Sequence, residues 1–413
     1  MRPSKGKVAL LISSYLPNLG GMEVGLHNIA LELLEQGMEP IVIAPWTHVR
    51  QLKRLGWQLP YKVEAMPPKI WSLLAFSSTL GFKLLDWWFA HLDKKHQFEF
   101  WHVTMAYPTG CGIVHYAETA KHDVKYLIRC AGEDIQKNKE IGYGLRLDLK
   151  LDKMISHYLK RAKRLVAITD SVYQEYLELG IAEECIRRVP NGIPLRRFNQ
   201  LRASSTARSD FGFSDDDFIL LCVGRNHPKK NYEALIGALA ECLKLGTFKP
   251  KLMCVGKDVS KLQGLVTEFG VSQHVKLIEE VGSAGADPNG LEFPSDKLIE
   301  IYKMCDLFVF PSKMETFGIA IVEAMAGGLP VIVGDSEGCR DIVEGGKWGR
   351  MVPPDDVKQL AQIITQMYCD PDLYAKFQKK SLERCKAFSW EQVVRLYLEI
   401  YQEASELAKE SVS

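Results

Sequence analysis

Short apolar runs rich in Val, Ile and Leu alternate along this chain with longer stretches whose apolar positions recur three and four residues apart. The runs in the first half include VALLISS (8–14), PIVIA (40–44), YLIRCAG (126–132), LVAIT (165–169) and IRRVPNG (186–192). FILLCVG (218–224), KLMCVG (251–256), VKLI (275–278), DLFVFPS (306–312) and PVIVGD (330–335) repeat the scheme in the second. Between runs, EVGLHNIALELLEQG (23–37) sets Leu26, Ile29, Ala30, Leu33 and Leu34 on one helical face and stops at Gly37. A second such helix is predicted from Asn231 to Leu245. Continuous apolar strands separated by helices predict parallel sheets covered on both faces. The series occurs twice, so the pattern predicts two doubly wound α/β domains.

The series breaks at NQLRASSTARSDFGFSDD (199–216), which is polar and without apolar periodicity. That places an N-terminal domain over 1–200, a C-terminal domain over 201–388 and a last helix over 389–413. A chain of 413 residues exceeds one ordinary core, in keeping with two domains. GSAGADPNGLEFPSD (282–296) reads as a long loop, either a functional lid or a surface insertion without a role.

Charge and cysteine usage narrow the function classes. A formal net charge of +1 gives no support to nucleic-acid binding. Ten scattered cysteines without a Cys-x-x-Cys pair argue against a zinc site or a disulfide framework, and favour the reducing cytoplasm. The opening MRPSKGKVALLISSYLPN is broken by Pro17 and reads as a first buried strand, not a signal peptide.

In such sheets ligands bind beyond the carboxyl ends of the strands. There, Arg225 and Lys230 follow FILLCVG on a strand-to-helix turn, either an anion site at a helix N-terminus or a solvated basic turn. PSKMETFGIAIVEAMAGGLPVIV (311–333) reads as turn, helix and strand, with Glu315 before the helix and Glu323 about two turns inside it. The backbone amides of Phe317, Gly318 and Ile319 lie between the two carboxylates. An anion on the amides, with a carboxylate for hydroxyls on either side, suits a nucleotide sugar. The plainer reading makes Glu323 a satisfied helix residue and Glu315 a partner of the helix dipole.

The last stretch resembles the Glu-x7-Glu segment of retaining family-4 glycosyltransferases of bacterial type. VGRNHPKK is similar to that family's Gly-Arg-x-x-x-x-Lys turn, VPNGIPLRRF (189–198) to its segment before the second domain, and NLGGMEVGLHNIALEL (18–33) to its Gly-Gly loop and helix. The resemblance implies a GT-B fold, two Rossmann-like domains facing a central cleft. It implies a UDP-sugar or GDP-sugar donor as co-substrate, with no cofactor and no metal. Arg225 and Lys230 would hold the donor diphosphate, Glu315 the donor sugar beside Thr316, Phe317, Gly318 and Ile319, and Glu323 the ribose. Gly20 and Gly21 would let backbone approach the diphosphate and acceptor. The last helix would cross back onto the first domain.

This chain departs from the family where a histidine is common. Thr104 stands two residues beyond His102, and Cys130 opens a segment where the family has His-Gly-x-Asp. His102 is the nearest catalytic substitute, or a structural histidine; Glu133 and Asp134 are candidates for the acceptor.

The expected acceptor is a cell-surface glycan or glycolipid, as in polysaccharide or lipopolysaccharide synthesis. KIWSLLAFSSTLGFKLLDWWFAHLDKK (69–95), as a helix, sets Phe76, Leu80, Leu84 and Trp88 on one side and Thr79, Lys83, Asp86 and Lys94 on another. It reads as a core helix or an interfacial one at the inner membrane face. Basic KLDKMISHYLKRAKR (150–164) is similarly a solvated face or one drawn to lipid phosphates. Two other functions fit the same pattern: a nucleotide-sugar epimerase and a catalytically silent binding subunit. A dehydrogenase is disfavoured because no Gly-x-Gly-x-x-Gly follows the first strand.

Overall fold

The computed structural model describes residues 6–139, 142–279 and 291–410. It divides into two units. One comprises the chain up to Asn191 with the C-terminal helix from Trp390; the other runs from Gly192 to Ser389 apart from a short segment ending at Leu291.

The first unit is built on β1 (Lys7–Leu11), β2 (Glu39–Pro45), β3 (Lys62–Met66), β4 (Phe100–Thr104), β5 (Tyr126–Arg129), β6 (Leu165–Ala167) and β7 (Ile186–Arg188). They form one sheet in the order β3-β2-β1-β4-β5-β6-β7, every pairing parallel. The second unit has β8 (Ile219–Val223), β9 (Lys251–Val255), β10 (Val275–Ile278), β11 (Leu307–Phe310), β12 (Val331–Gly334) and β13 (Arg350–Val352), ordered β10-β9-β8-β11-β12-β13 and again all parallel. Helices cover both faces, which is why β1, β8, β11 and β12 are apolar almost throughout and buried. In each sheet the strand order reverses once, between β1 and β4 and between β8 and β11.

Three strands escape the apolar-run pattern. β3, KVEAM, is an edge strand whose Glu64 pairs with Lys62, Lys95 and His96. β13 is an edge strand of three residues. β4 is central and wholly buried, but begins on aromatic residues and carries His102 in its interior.

The polar stretch 199–216 is not a linker. Helices Leu195–Gln200 and Ala207–Asp210 fall around it, Phe198 is buried against Tyr302, and Arg208 donates to Met304 O and pairs with Asp306 at 2.8 Å. One arginine with backbone and carboxylate partners holds a segment that has no apolar face. The chain changes unit earlier, at Asn191–Gly192, ahead of the boundary expected at 200. Residues 282–290 of the Gly/Pro-rich loop lie outside the described residues.

Residues 69–95 form two helices, Ile70–Phe76 and Ser78–His96, broken at the extended Ser77. Phe82, Leu85, Phe89 and Leu92 are the buried stripe, while Phe76 and Leu80 are exposed. This corrects the face expected to be apolar and inward. The helix Ser78–His96 carries two apolar rows, Leu80, Leu84 and Trp88 on one side and Phe82, Leu85, Phe89 and Leu92 on another, and the fold buries the second.

Candidate functional site

Reversal of strand order opens a crevice at the carboxyl ends of the two strands involved. In the second unit those strands are β8 and β11, and the turns after them carry Arg225, Lys230 and Glu315. The turns are tied to each other: Lys229 O accepts from Ser312 Oγ and from Lys313 N, both at 2.8 Å. Tyr232 Oη donates to Gly224 O at 2.6 Å and Asn231 Nδ2 to Pro354 O at 2.7 Å, which hold the β8 turn from its far side.

Lys230 Nζ donates to Glu315 Oε1 in a buried ion pair and lies over the Phe310 ring, 4.5 Å from its centre. Ser312 Oγ donates to the same oxygen at 3.2 Å. Burial works to raise the Glu315 pKa, but the charges of Lys230 and Lys229 and the two hydrogen bonds outweigh it and hold the carboxyl below its ordinary range. Arg225 is exposed, with no carboxylate paired to it among the described residues. Two kinds of cation therefore stand at this turn, Arg225 open to solvent and Lys230 held in place by an acid.

The helix after β11 is Ile319–Ala326, which begins later than the expected start. Glu323 therefore lies little more than one turn inside, and Glu315 and Thr316 belong to the turn. Gly318 caps the helix with φ of 87°, a left-handed conformation in which a Cβ would also stand 2.9 Å from Ile321 Cδ1. The turn is pressed against the next loop, where a Cβ on Gly338 would stand 2.7 Å from the backbone of Glu315 and Thr316. Only glycine admits that approach, so Gly338 positions Glu315 from a different βα unit. Phe317 is buried edge-on to Phe388.

Glu323 accepts from Tyr302 Oη through Oε2 at 2.9 Å, and its Oε1 has no hydrogen-bond partner among the described residues. The carboxylate sits beneath the surface although part of the residue remains accessible. Burial raises its pKa to about 7, with the Tyr302 bond working the other way. Tyr302 and Gly338 were not foreseen. Neither stands in a turn of recognisable chemistry; both matter through neighbours distant in sequence.

In the first unit the reversal falls between β1 and β4. Gly20 caps the helix Gly21–Glu35 that follows β1, and neither Gly20 nor Gly21 has positive φ. A Cβ on Gly21 would meet nothing within 4 Å, so the fold itself does not demand glycine there. Ser13 Oγ contacts Met105 Sδ at 2.9 Å, joining the ends of β1 and β4. Met105 itself holds φ of 79°, a strained value for a side-chain-bearing residue, and strain of this kind gathers at functional sites.

Asp134 is fully buried and accepts from the amides of Ala106, Ala131 and Gly132 at 2.5, 2.9 and 2.9 Å. It braces two loops, and its burial keeps it from an acceptor; Glu133 beside it is exposed. His102 is also fully buried. Its Nδ1 bonds Tyr401 Oη at 2.8 Å and its ring packs on Tyr397, both from the C-terminal helix. This corrects the expectation of a catalytic His102: strand β4 points it under that helix, and desolvation, with Arg129 nearby, lowers its pKa to about 3. Thr104 and Cys130 are buried as well. Among the described residues no cluster of His, Cys, Asp and Glu has the makings of a metal site.

Residues 19–197 match the family described as Glycosyltransferase Family 4, and residues 204–384 that described as Glycosyl transferases group 1. A D-inositol 3-phosphate glycosyltransferase of Nocardia farcinica is 28% identical over 255 residues, 60% of this chain and 54% of that protein. The chain's match therefore spans little more than half the length of that relative. Among solved structures, a glycosyltransferase from Rickettsia africae superposes with a TM-score of 0.77 at 19% identity, over 97% of this chain and 98% of that one. Anabaena HepE, in complex with UDP and glucose, superposes with a TM-score of 0.71 at 19% identity, over 96% and 99%. With a glycosyltransferase family matched on either side of the unit boundary, and two parallel-sheet units that superpose on such enzymes along nearly their whole length, the chain belongs to glycosyltransferase family 4 and has the GT-B fold.

Proposed function

We propose that this glycosyltransferase moves a sugar from a nucleoside diphosphate sugar, UDP-linked ahead of GDP-linked, to a cell-surface glycan or glycolipid, with retention at the anomeric carbon. The observation that carries the donor reading is the Lys230–Glu315 pair at the strand-order reversal, with the free Oε1 of Glu323 on the adjoining helix. Arg225 and Lys230 take the diphosphate, with the amides of Phe317, Gly318 and Ile319 beside it. Glu315 receives the sugar hydroxyls and Glu323 those of the ribose. Gly21 leaves room for a ligand where the fold leaves it open, and Gly20, whose Cβ would meet the Glu23 carboxylate, lets backbone approach beside it.

In the reaction the bond from the anomeric carbon to the diphosphate oxygen breaks. An acceptor hydroxyl oxygen bonds to that carbon on the same face, and its proton passes to the departing phosphate oxygen. Cations and amides stabilise the charge that develops on the leaving group, and in such sites this stabilisation usually lowers the barrier more than any other effect. On this reading no metal is required. UDP is favoured because HepE is described with it. A phosphorylated polyol is the second acceptor class, favoured by the name of the Nocardia relative. The acceptor is assigned to the first unit, where Glu133 is exposed and Met105 strained.

A thermal-shift panel of UDP-, GDP- and ADP-sugars, followed by a transfer assay on glycan, glycolipid and inositol phosphate acceptors, tests this. A ligand of the native state raises Tm. Binding with transfer supports the proposal. Binding with epimerised donor and no transfer would make the protein an epimerase, and binding without turnover a silent subunit.

A further inference from the structure

Four buried polar atoms of the first unit have no hydrogen-bond partner among the described residues and belong to one neighbourhood: His102 Nε2, Thr104 Oγ1, Arg129 Nε and Tyr397 Oη. None of these residues is more than 2% exposed. The sheet sets three of them side by side. His102 and Thr104 stand two apart on β4 and so share a face, and Arg129 on β5 is the register partner of Thr104. The C-terminal helix, Trp390–Glu410, covers that face: Tyr401 Oη bonds His102 Nδ1, and the Tyr397 ring lies 4.6 Å from the His102 ring, centre to centre. Both rings feel the guanidinium. Burial lowers the His102 pKa and the Arg129 charge adds to it; burial raises that of Tyr397 and the same charge opposes it.

Arg129 sets the chemistry. One of its terminal nitrogens donates to Asn191 Oδ1, and no carboxylate pairs with it among the described residues. A guanidinium keeps its charge inside a protein, and a charge taken out of water is rarely left without a counter-charge. The Asn191 amide oxygen supplies none, nor would a water molecule. The other three atoms can donate toward the same ligand. Tyr401 Oη has His102 Nδ1 as its acceptor, so the neutral ring carries its proton on Nε2. Thr104 and Tyr397 offer hydroxyls, and Arg129 Nε–H is a donor only. Four donors around one buried cation suit an anion, and their burial restricts it to a small one. Thr104 and Arg129 are the last residues of β4 and β5, so the cluster reaches the carboxyl end of the sheet, where the loops begin.

We propose that Arg129 Nε, Thr104 Oγ1, His102 Nε2 and Tyr397 Oη together bind one monovalent halide ion, which neutralises the guanidinium and fastens the C-terminal helix to the ends of β4 and β5. This goes beyond the donor chemistry and does not depend on it, because every residue invoked lies in the first unit. It also gives four buried polar atoms the partner that each otherwise lacks, at a cost in stability.

Thermal unfolding in sodium chloride or bromide, against sodium gluconate at equal ionic strength, tests it, since gluconate is too large for the site. Tm of the unaltered protein should rise with halide along a saturating curve, by about 5 °C or more at about one hundred times Kd. Arg129→Met should lose that halide-specific rise. Thr104→Val keeps the shape of the side chain and removes one donor, so it should move the curve to about tenfold higher halide or more. It also keeps the test open should the methionine variant not fold. Bromide-soaked crystals should give one anomalous peak between the four atoms. Equal Tm in halide and gluconate would leave the four atoms to water alone and overturn the proposal. A halide curve that Thr104→Val leaves in place would do so too, by putting the ion elsewhere.

Discussion

Tyr302 Oη donates to Glu323 Oε2 across 2.9 Å, from the helix before β11 to the helix after it. The bond orients the carboxylate and leaves Oε1 for a ligand. Glu323→Gln should weaken nucleoside diphosphate binding about ten- to a hundredfold, the value of a charge-assisted hydrogen bond of about 1.5–3 kcal/mol. Hydroxyl donors favour the ionised acid, whose pKa is raised to about 7. Affinity should therefore rise with pH through neutrality in the unaltered protein and stay level in the variant, as titration calorimetry would register. For folding the sign is the reverse. A carboxyl raised above its ordinary 4.5 contributes stability below that value, and loses it as pH rises through about 7. The Gln variant should flatten that decline in Tm.

Lys230 and Glu315 are predicted to separate by role. Lys230→Ala leaves a buried carboxylate unpaired and should cost about 3–5 kcal/mol of stability, besides weakening donor binding. Glu315→Gln should spare nucleoside diphosphate binding and slow transfer about ten- to a hundredfold. The Glu315 carboxyl is held low, so its contribution to stability is full above the ordinary value of 4.5 and disappears as pH falls through its folded value. Chemical denaturation of the single and double variants, beside a transfer assay, reads both effects. Equal loss of nucleoside diphosphate affinity in the two single variants would dismiss the division.

Arg225 is exposed, with no carboxylate partner among the described residues, so Arg225→Ala should leave Tm unchanged. Donor affinity should fall about tenfold or more, because the diphosphate loses a charged donor. Unchanged kinetics would remove Arg225 from the site.

His102→Phe should lower stability through the lost Tyr401 bond, by about 1 kcal/mol or more, while kcat/KM of the folded protein stays as it was. The His102 pKa is depressed to about 3, so its contribution to stability is present above the ordinary 6.5 and is lost as pH falls toward 3. The acid limb of a Tm profile should shift in the variant. A collapse of kcat with Tm intact would restore His102 to catalysis.

Transfer should survive EDTA, since Arg225, Lys230 and the helix amides are proposed to carry the leaving-group charge. Loss of activity with rescue by a divalent ion would reject that assignment.

The two parallel α/β units, the turns after β8 and β11, and the residue types held there were legible in the amino-acid sequence alone. Those features depend on residues a few positions apart: apolar runs for buried strands, three-and-four spacing for helices, glycine and proline at their ends. The partners of the polar groups were a matter of topology. Glu315 meets Lys230 because β8 and β11 are neighbours, and Glu323 meets Tyr302 because two helices flank one strand. His102 is joined to a tyrosine 299 residues away, which turned a plausible catalytic histidine into a buried one. The outward turn of Phe76 and Leu80 likewise emerged in three dimensions. The helix Ser78–His96 has two apolar rows at helical spacing, Leu80, Leu84 and Trp88 beside Phe82, Leu85, Phe89 and Leu92, and periodicity alone cannot say which of two apolar rows the neighbouring elements will cover. Local spacing encodes local conformation; burial and hydrogen-bond partners are settled by which distant elements the fold brings together.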